Sequence, residues 1–254
     1  MKPSKGIVGI ILAGGEGKRL RPLTSGIPKP LLPVDGTPII DYVINNVMSC
    51  SGLERIYVGV SYKAYTIKDY LADRFRDSRV PIEAVATLGW ETAGDLKQIM
   101  ISKDMENNPV IVAYGDNLTQ IDIGDMMRFH HETNALSTLA LFKVPWEDTN
   151  RFGIAEVEEG IVTNFIEKPE QRPKSNLANA GYYIIEPIMF KEIPARKTRV
   201  EYTLFPELIK HRKLAGYVYE PKYWYDIGTN EAYRTANRKK VLEGVIPPGK
   251  DHSK

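Results

Sequence analysis

Apolar positions in the first half of the chain fall into short continuous runs, separated by longer segments in which they recur every three or four residues. Ile7 to Ala13, Arg55 to Val60, Pro81 to Ala86 and Val110 to Tyr114 are the continuous runs. Apolar side chains at successive positions suit strands covered on both faces, so these four predict a parallel sheet. Between them the period changes to that of helices. Ile39, Ile40, Val43, Ile44, Val47 and Met48 share one helical face, behind Thr37 as N-cap and Pro38 at the first helical position. A second helix is expected from Thr92, where Thr92-Ala93-Gly94-Asp95 has the form of a capping box, and a third after Asp122. Strands alternating with helices predict right-handed crossovers and an α/β fold, with ligands gathered at the carboxyl ends of the strands.

Beyond about residue 135 the pattern is different. Residues 136–144, 152–159, 161–169 and 179–187 are strand-like with no long helix between them, which predicts hairpins or an added antiparallel lobe. Helical period returns over Thr203 to Arg212 and from Thr229 onward. No internal repeat or Gly/Ser linker divides the chain, so residues 1–254 read as one domain, with halves at 1–135 and 136–245 and a frayed tail, PPGKDHSK.

Composition narrows the function classes. Thirty-four Lys and Arg against 32 Asp and Glu leave a net charge of +2, which gives no bulk attraction to nucleic acid, so any anion site is local. The single cysteine, Cys50, lies in an apolar pattern, excludes an intramolecular disulfide framework and suits a reducing cytoplasm. Lys2 and Lys5 precede Ile7 to Ala13, but seven apolar residues followed by a Gly/Arg-rich loop make a poor secretory leader. No run approaches the roughly 20 apolar residues of a membrane span.

The first strand leaves through LAGGEGKRLRPLT, Leu12 to Thr24. Glycines there expose backbone N–H groups in a concave nest, and phosphate is the natural guest. Two familiar phosphate loops fail the test. Leu20 stands where a dinucleotide fingerprint needs its third glycine, and Arg19 replaces the Ser/Thr of a P-loop while Leu12 replaces its first glycine. The unit present is longer: Gly-Gly-x-Gly-x-Arg-Leu, then Pro-Leu-Thr, then Pro28-Lys29-Pro30.

That unit resembles the N-terminal signature of the sugar-1-phosphate nucleotidyltransferases, and the resemblance extends along nearly the whole chain. AYGDN at 113–117 looks like the family's metal-binding strand end, FGIAEVEEGIVTNFIEKP at 152–169 like its sugar-binding segment, and YWYDIGTNEAYRTAN at 223–237 like its second metal segment. The resemblance implies a Rossmann-like, mostly parallel sheet flanked by helices, with an antiparallel sugar-binding lobe of the GT-A-like kind. It implies a nucleotide site at Leu12, Ala13, Gly14, Gly15, Gly17, Arg19, Lys29, Glu91 and Gly115. Sugar phosphate would meet Gly153, Glu167, Lys168, Asn179 and Gly181, and the catalytic set would be Arg19, Lys29, Asp116 and Asp226. The substrates implied are a nucleoside triphosphate, UTP or dTTP ahead of CTP or GTP, and a sugar 1-phosphate, with no nucleic-acid or membrane partner and a homo-oligomer left open. The chain stops shortly after the Asp226 motif, so only the catalytic core is expected, without the β-helix some relatives append.

The residue types fit that chemistry without the family name. Joining two phosphate compounds means bringing polyanions together, so the protein's work is charge neutralisation and alignment. The resemblance assigns Arg19 and Lys29 to the triphosphate, whereas Lys18 and Arg21 are expected to face water. Asp116 and Asp226 each end a strand-like run, and two carboxylates completed by waters and phosphate oxygens suit Mg2+. His130-His131 lies on a polar helical pattern and is expected on the solvated surface. Two departures from the family pattern bear on specificity: Phe152 stands where many relatives have tyrosine, and Glu91, beside Trp90, occupies a usual glycine position. A carboxylate at 91 can accept from an amino group of cytosine or guanine, or merely end a strand. A noncatalytic homologue would be expected to lack some of the charged set, and an oxidoreductase would need the complete fingerprint.

Overall fold

The computed structural model describes residues 6–238, so Lys2, Lys5 and the C-terminal tail lie outside the described residues. A nine-stranded mixed sheet runs through both halves. Its first part is β1 (Ile7–Leu12), β4 (Leu53–Val60), β5 (Ile82–Ala86) and β6 (Val110–Tyr114), all parallel in the order β5-β4-β1-β6. The four continuous apolar runs thus all form strands, but β5, at the sheet edge, is not buried on both faces: Val85 alone in it is buried. The sheet continues as β11 (Leu177–Ile185), β8 (Ser137–Lys143), β12 (Leu214–Val218), β10 (Ile161–Glu167) and β9 (Gly153–Glu158). The second half adds its largely antiparallel strands to the same sheet. β11 pairs antiparallel with β6, and β12 returns parallel to β8. β9 and β10 form the hairpin at the far edge, and β9 also reaches back to β11.

Successive residues of the central strands serve opposite cores. Ile11 packs with Ile44, Val47, Val58 and Met126 beneath α2 (Ile39–Met48), α3 (Ala64–Arg74) and α5 (Ile123–Thr133). Ile10 packs with Leu96, Ile99, Tyr183 and Phe205 beneath α4 (Glu91–Ser102) and α6 (Leu204–Lys210). A third cluster joins Leu20, Val34, Ile39, Leu118, Ile227 and Ala236, and so binds the region after β1 to α7 (Asn230–Arg238). A short helix, α1 (Leu23–Gly26), completes that region.

Several local expectations are corrected by longer-range partners. Thr37 does not cap α2: it lies in a hairpin of β2 (Pro33–Val34) and β3 (Thr37–Pro38), turned by Asp35 (φ 50°) and Gly36 (φ 77°), and the helix's Ile39 N–H goes to the Leu32 carbonyl. Asp-Gly is the turn pair that tolerates two left-handed residues in a row. The Thr92–Asp95 capping box is not formed either. Helix α4 starts at Glu91, and its Ala93 and Gly94 N–H groups go to the Thr198 carbonyl. Asp122 does cap α5, accepting from Asp125 N–H at 2.8 Å. His130 is not on the surface: it is 2% exposed, with Nδ1 2.7 Å from Thr138 Oγ1 and Nε2 3.1 Å from Glu186 Oε1. His131 remains exposed, Cys50 is buried, and burial pushes its thiol pKa up to about 11. Among the described residues no helix is long and apolar enough to cross a membrane.

Asp41, in the first turn of α2, is 1% exposed and accepts from Tyr70 Oη at 2.7 Å and Arg74 Nε at 2.9 Å. It ties α2 to α3 through a charge that water cannot reach. Replacing it by alanine removes the acceptor of both bonds from the helix–helix contact, and Asp41→Ala is expected to lose about 2 to 4 kcal/mol of stability in urea unfolding. A midpoint within error of the wild type would refute this tie.

Candidate active site

The carboxyl ends of β1, β4, β5, β6 and β10 open on one cleft of about 860 Å³. Its floor is the loop after β1. Gly17 takes φ 61°, and a Cβ on it would lie 2.9 Å from Thr24 Cγ2 and 3.1 Å from Lys29 Cβ, so only glycine closes the loop over the buried Thr24 and Lys29. Gly15 faces open space, Ser61 Oγ donates to the Gly14 carbonyl at 2.6 Å, and Leu12, Gly14, Gly15, Gly17 and Arg19 all line the cleft. Ala13 is buried beneath them, and Gly115 N–H donates to the Leu12 carbonyl at 2.9 Å. Lys18 and Arg21 are more than half exposed and lie 3.3 and 3.8 Å from Glu16, as solvated cations would.

The charged centre is assembled by a small sheet. β7 (Asn117–Thr119) pairs antiparallel with β13 (Trp224–Asp226), and the register sets Asp226 opposite Asn117, next to Asp116. Lys29 lies between the two carboxylates. Its Nζ donates to Asp116 Oδ2 at 2.6 Å and stands 3.9 Å from Asp226 Oδ1, with the lysine only 6% exposed. Lys29 starts a 3-10 turn, Lys29–Leu31, after an extended Pro28. Burial and then the neighbouring Asp116 charge raise the Asp226 carboxyl pKa, against the lowering pull of Lys29, Arg19 and Arg151. Gly228 leaves room for Arg19, whose Nη2 and Asp226 Oδ2 would lie 3.1 and 2.9 Å from a Cβ there. The four residues expected to carry the chemistry therefore meet at one place, from positions as far apart as 19 and 226.

Of the expected sugar-side residues, Glu167 lines the cleft and the others stand behind or beside it. A Cβ on Gly153 would lie 2.7 Å from Glu167 Oε2, so the glycine leaves that carboxylate its space. Lys168 is largely exposed, 3.9 Å from Glu167. Asn179 accepts from Gly181 N–H at 2.8 Å and donates to Tyr183 Oη at 2.7 Å. Tyr183 in turn donates to Tyr114 Oη at 2.9 Å, and Tyr114 to Glu201 Oε1 at 3.0 Å. Asn179 thus begins a buried polar chain that ends on a carboxylate in the cleft. Glu201 Oε2 is buried without a hydrogen-bond partner, and burial raises the carboxyl pKa. Phe152 packs edge-on against Trp224, ring centres 5.1 Å apart.

Glu91 lines the cleft with φ 60° and is ion-paired to Arg199, whose Nε is 2.5 Å from its Oε2. Residues 196–200 are strapped across the start of α4. Thr198 accepts from Ala93 N–H at 3.0 Å and Gly94 N–H at 3.3 Å and donates to the Trp90 carbonyl at 3.0 Å, while Val200 N–H donates to Thr92 Oγ1 at 3.1 Å. The strap delivers Lys197, Arg199 and Glu201 to the cleft. Sequence reasoning missed all three because no local pattern links positions 91 and 199. Asp95 is buried, accepts from Trp90 N–H at 2.6 Å, and has its carboxyl pKa raised chiefly by burial.

Residues 8–242 match the model of the family described as Nucleotidyl transferase, and the chain belongs to that family. It is 33% identical over 245 residues to mannose-1-phosphate guanylyltransferase of Mycobacterium tuberculosis, covering 94% of this chain and 65% of that protein. Over 266 residues it is 30% identical to glucose-1-phosphate adenylyltransferase of Fervidobacterium nodosum, covering 96% of this chain and 63% of that protein. The chain therefore spans just under two thirds of the length of these curated relatives. A Bacillus anthracis protein described as a glucose-1-phosphate thymidylyltransferase and solved in complex with a sucrose superposes with a TM-score of 0.82 at 25% identity, over 96% of this chain and 98% of that one.

A Cβ at Gly94 would lie 2.5 Å from the Arg196 carbonyl oxygen, so the strap docks only where α4 is bare. Gly94→Ala is expected to displace the strap and lower stability by about 1 to 3 kcal/mol. Thermal unfolding with the strap probed by hydrogen exchange at Thr198 and Val200 would show it, and unchanged protection there would contradict the packing.

Proposed function

We propose that the chain transfers a nucleotidyl group from a nucleoside triphosphate to a sugar 1-phosphate, giving a nucleoside diphosphate sugar and pyrophosphate. The carrying observation is the convergence of Asp116, Asp226, Lys29 and Arg19 at the mouth of a bare glycine loop. A phosphate oxygen of the sugar phosphate attacks the α-phosphorus, the bond to the bridging oxygen of the β-phosphate breaks, and that electron pair leaves on pyrophosphate.

Each residue then has an electrostatic task. Backbone N–H groups around Gly14 and Gly15 and the Arg19 guanidinium hold the triphosphate in line, and Lys29, beside Asp116, is the cation for charge that accumulates on the α-phosphate. Asp116 and Asp226 suit a divalent cation. Burial and then their proximity raise the Asp226 pKa, and Mg2+ characteristically takes one or two protein carboxylates and draws its remaining ligands from water and phosphate. When bound, Mg2+ would neutralise phosphate charge and make the α-phosphorus more electrophilic. Glu167 and the unpartnered oxygen of Glu201 are acceptors for sugar hydroxyls, and the exposed Lys168, next to Glu167, is the cation for the sugar phosphate. The names of the relatives support the sugar 1-phosphate as acceptor. The single buried cysteine fits a reducing compartment, and we place the reaction in the cytoplasm.

Pyrophosphate release from nucleoside triphosphates and a panel of hexose 1-phosphates, with and without magnesium, tests the reading. Metal-dependent release in at least one combination is expected, and silence in all would refute it. Asp116→Asn and Asp226→Asn are each expected to cut kcat by on the order of a hundredfold or more with the fold intact. Normal turnover in either variant would remove that residue from the metal site. Lys168→Ala is expected to raise the sugar-phosphate KM about tenfold while leaving the nucleotide KM unchanged, and wild-type kinetics would displace the proposed pocket.

A further inference from the structure

Glu91 and Arg199 have no task in the phosphate chemistry, yet they are built into the cleft with care. Glu91 holds φ 60°, a left-handed backbone uncommon for a residue with a Cβ. The loop leading into it is pinned twice: Leu88 N–H donates to Gln98 Oε1 at 2.9 Å and Trp90 N–H to Asp95 Oδ1 at 2.6 Å. Arg199 fixes the carboxylate itself, through Nε to Oε2 at 2.5 Å, and the strap hydrogen bonds fix Arg199. Both side chains remain more than one third exposed, and both line the cleft, so the pair is accessible to a ligand.

A carboxylate repels phosphate, and the phosphate-binding groups are the glycine loop, Arg19 and Lys29. Glu91 therefore faces an uncharged group, and its loop stands beside the glycine loop, with Gly89 next to Ser61 and Ser61 Oγ donating to the Gly14 carbonyl at 2.6 Å, which makes that group the base rather than the sugar; a carboxylate can only accept hydrogen bonds. The bases differ in what they offer it. Guanine alone sets two adjacent N–H groups, N1–H and the 2-amino group, against the two oxygens of one carboxylate, with O6 beside them as acceptor for guanidinium N–H. Uracil and thymine offer one N–H flanked by two carbonyl oxygens, one of which would face the second carboxylate oxygen. Adenine and cytosine offer an amino group beside an unprotonated ring nitrogen, with the same clash of acceptors. Resting on the nucleotidyl-transfer reading, we propose that the Glu91–Arg199 pair reads the base edge and selects guanine, making GTP the nucleotide substrate.

Inosine triphosphate, which lacks only the 2-amino group, isolates the contact. Expected on the wild-type chain is a higher kcat/KM for GTP than for UTP, dTTP, CTP or ATP, and a GTP over ITP preference of about tenfold or more, since a hydrogen bond to a charged group is lost. Glu91→Gln, which keeps the side-chain volume, is expected to bring the GTP to ITP ratio close to one, a change that general loosening of the fold would not produce. Preference for a pyrimidine or adenine nucleotide, or equal use of GTP and ITP by the wild type, would overturn the proposal, and the wild-type ratio decides even where the variant fails to fold. Calorimetric binding of GTP and ITP to the same protein gives that ratio without turnover. Guanine-selective binding with no pyrophosphate release would thus refute the transfer reading alone, whereas turnover favouring UTP would refute the base reading alone.

Discussion

A buried ammonium between two carboxylates is the interaction around which this molecule is arranged. At 3.9 Å and an effective dielectric near 20, the Lys29–Asp226 attraction is roughly 4 kcal/mol before desolvation, and desolvation opposes it strongly enough that the Asp226 pKa rises. The balance explains why so much scaffold converges there. Pro28 and Pro30 flank the lysine, Gly17 leaves room for its stem, and the third core cluster anchors the region after β1 against α7, close to Asp226. The β7–β13 pairing then places the second carboxylate beside the first by register alone. A cation entering between Asp116 and Asp226 would compete with Lys29 for the same oxygens, leaving the ammonium for phosphate.

The cleft owes its two-sidedness to the sheet. Parallel strands β5, β4 and β1 end on the side of Gly14, Ser61 and Gly89, while β6 and β10 end on the side of Tyr114, Asp116 and Glu167. The strap over residues 196–200 spans these sides. It caps α4 with Thr198, pairs Arg199 with Glu91, and carries Glu201 to Tyr114 within the same few residues. Gly94 is the permissive point, because the strap carbonyl lies where any side chain would be.

Much of this was written locally. Continuous apolar runs named the four parallel strands, and the glycine, Lys29, Asp116 and Asp226 motifs named the charged centre, because each rests on a strand end or loop whose residue types are dictated nearby. Local reading failed where a remote partner took over a local task. Thr37 and Thr92 look like caps, but the Leu32 and Thr198 carbonyls receive the N–H groups at those helix starts. His130 lies in a polar helical sequence, yet Thr138 and Glu186 satisfy both its ring nitrogens inside the fold. The Asp35-Gly36 turn was legible and went unread.

The sequence by itself determined the α/β alternation, the glycine loop after the first strand and the inventory of charges, since backbone preference and side-chain chemistry act over a few residues. Only the tertiary structure decided which charges meet. Lys29 and Asp116 are 87 positions apart and Glu91 and Arg199 are 108 apart, distances over which no periodicity carries information. Their pairing follows from strand register and from the strap's docking on a bare helix start, both of which are contacts between segments far apart in the chain.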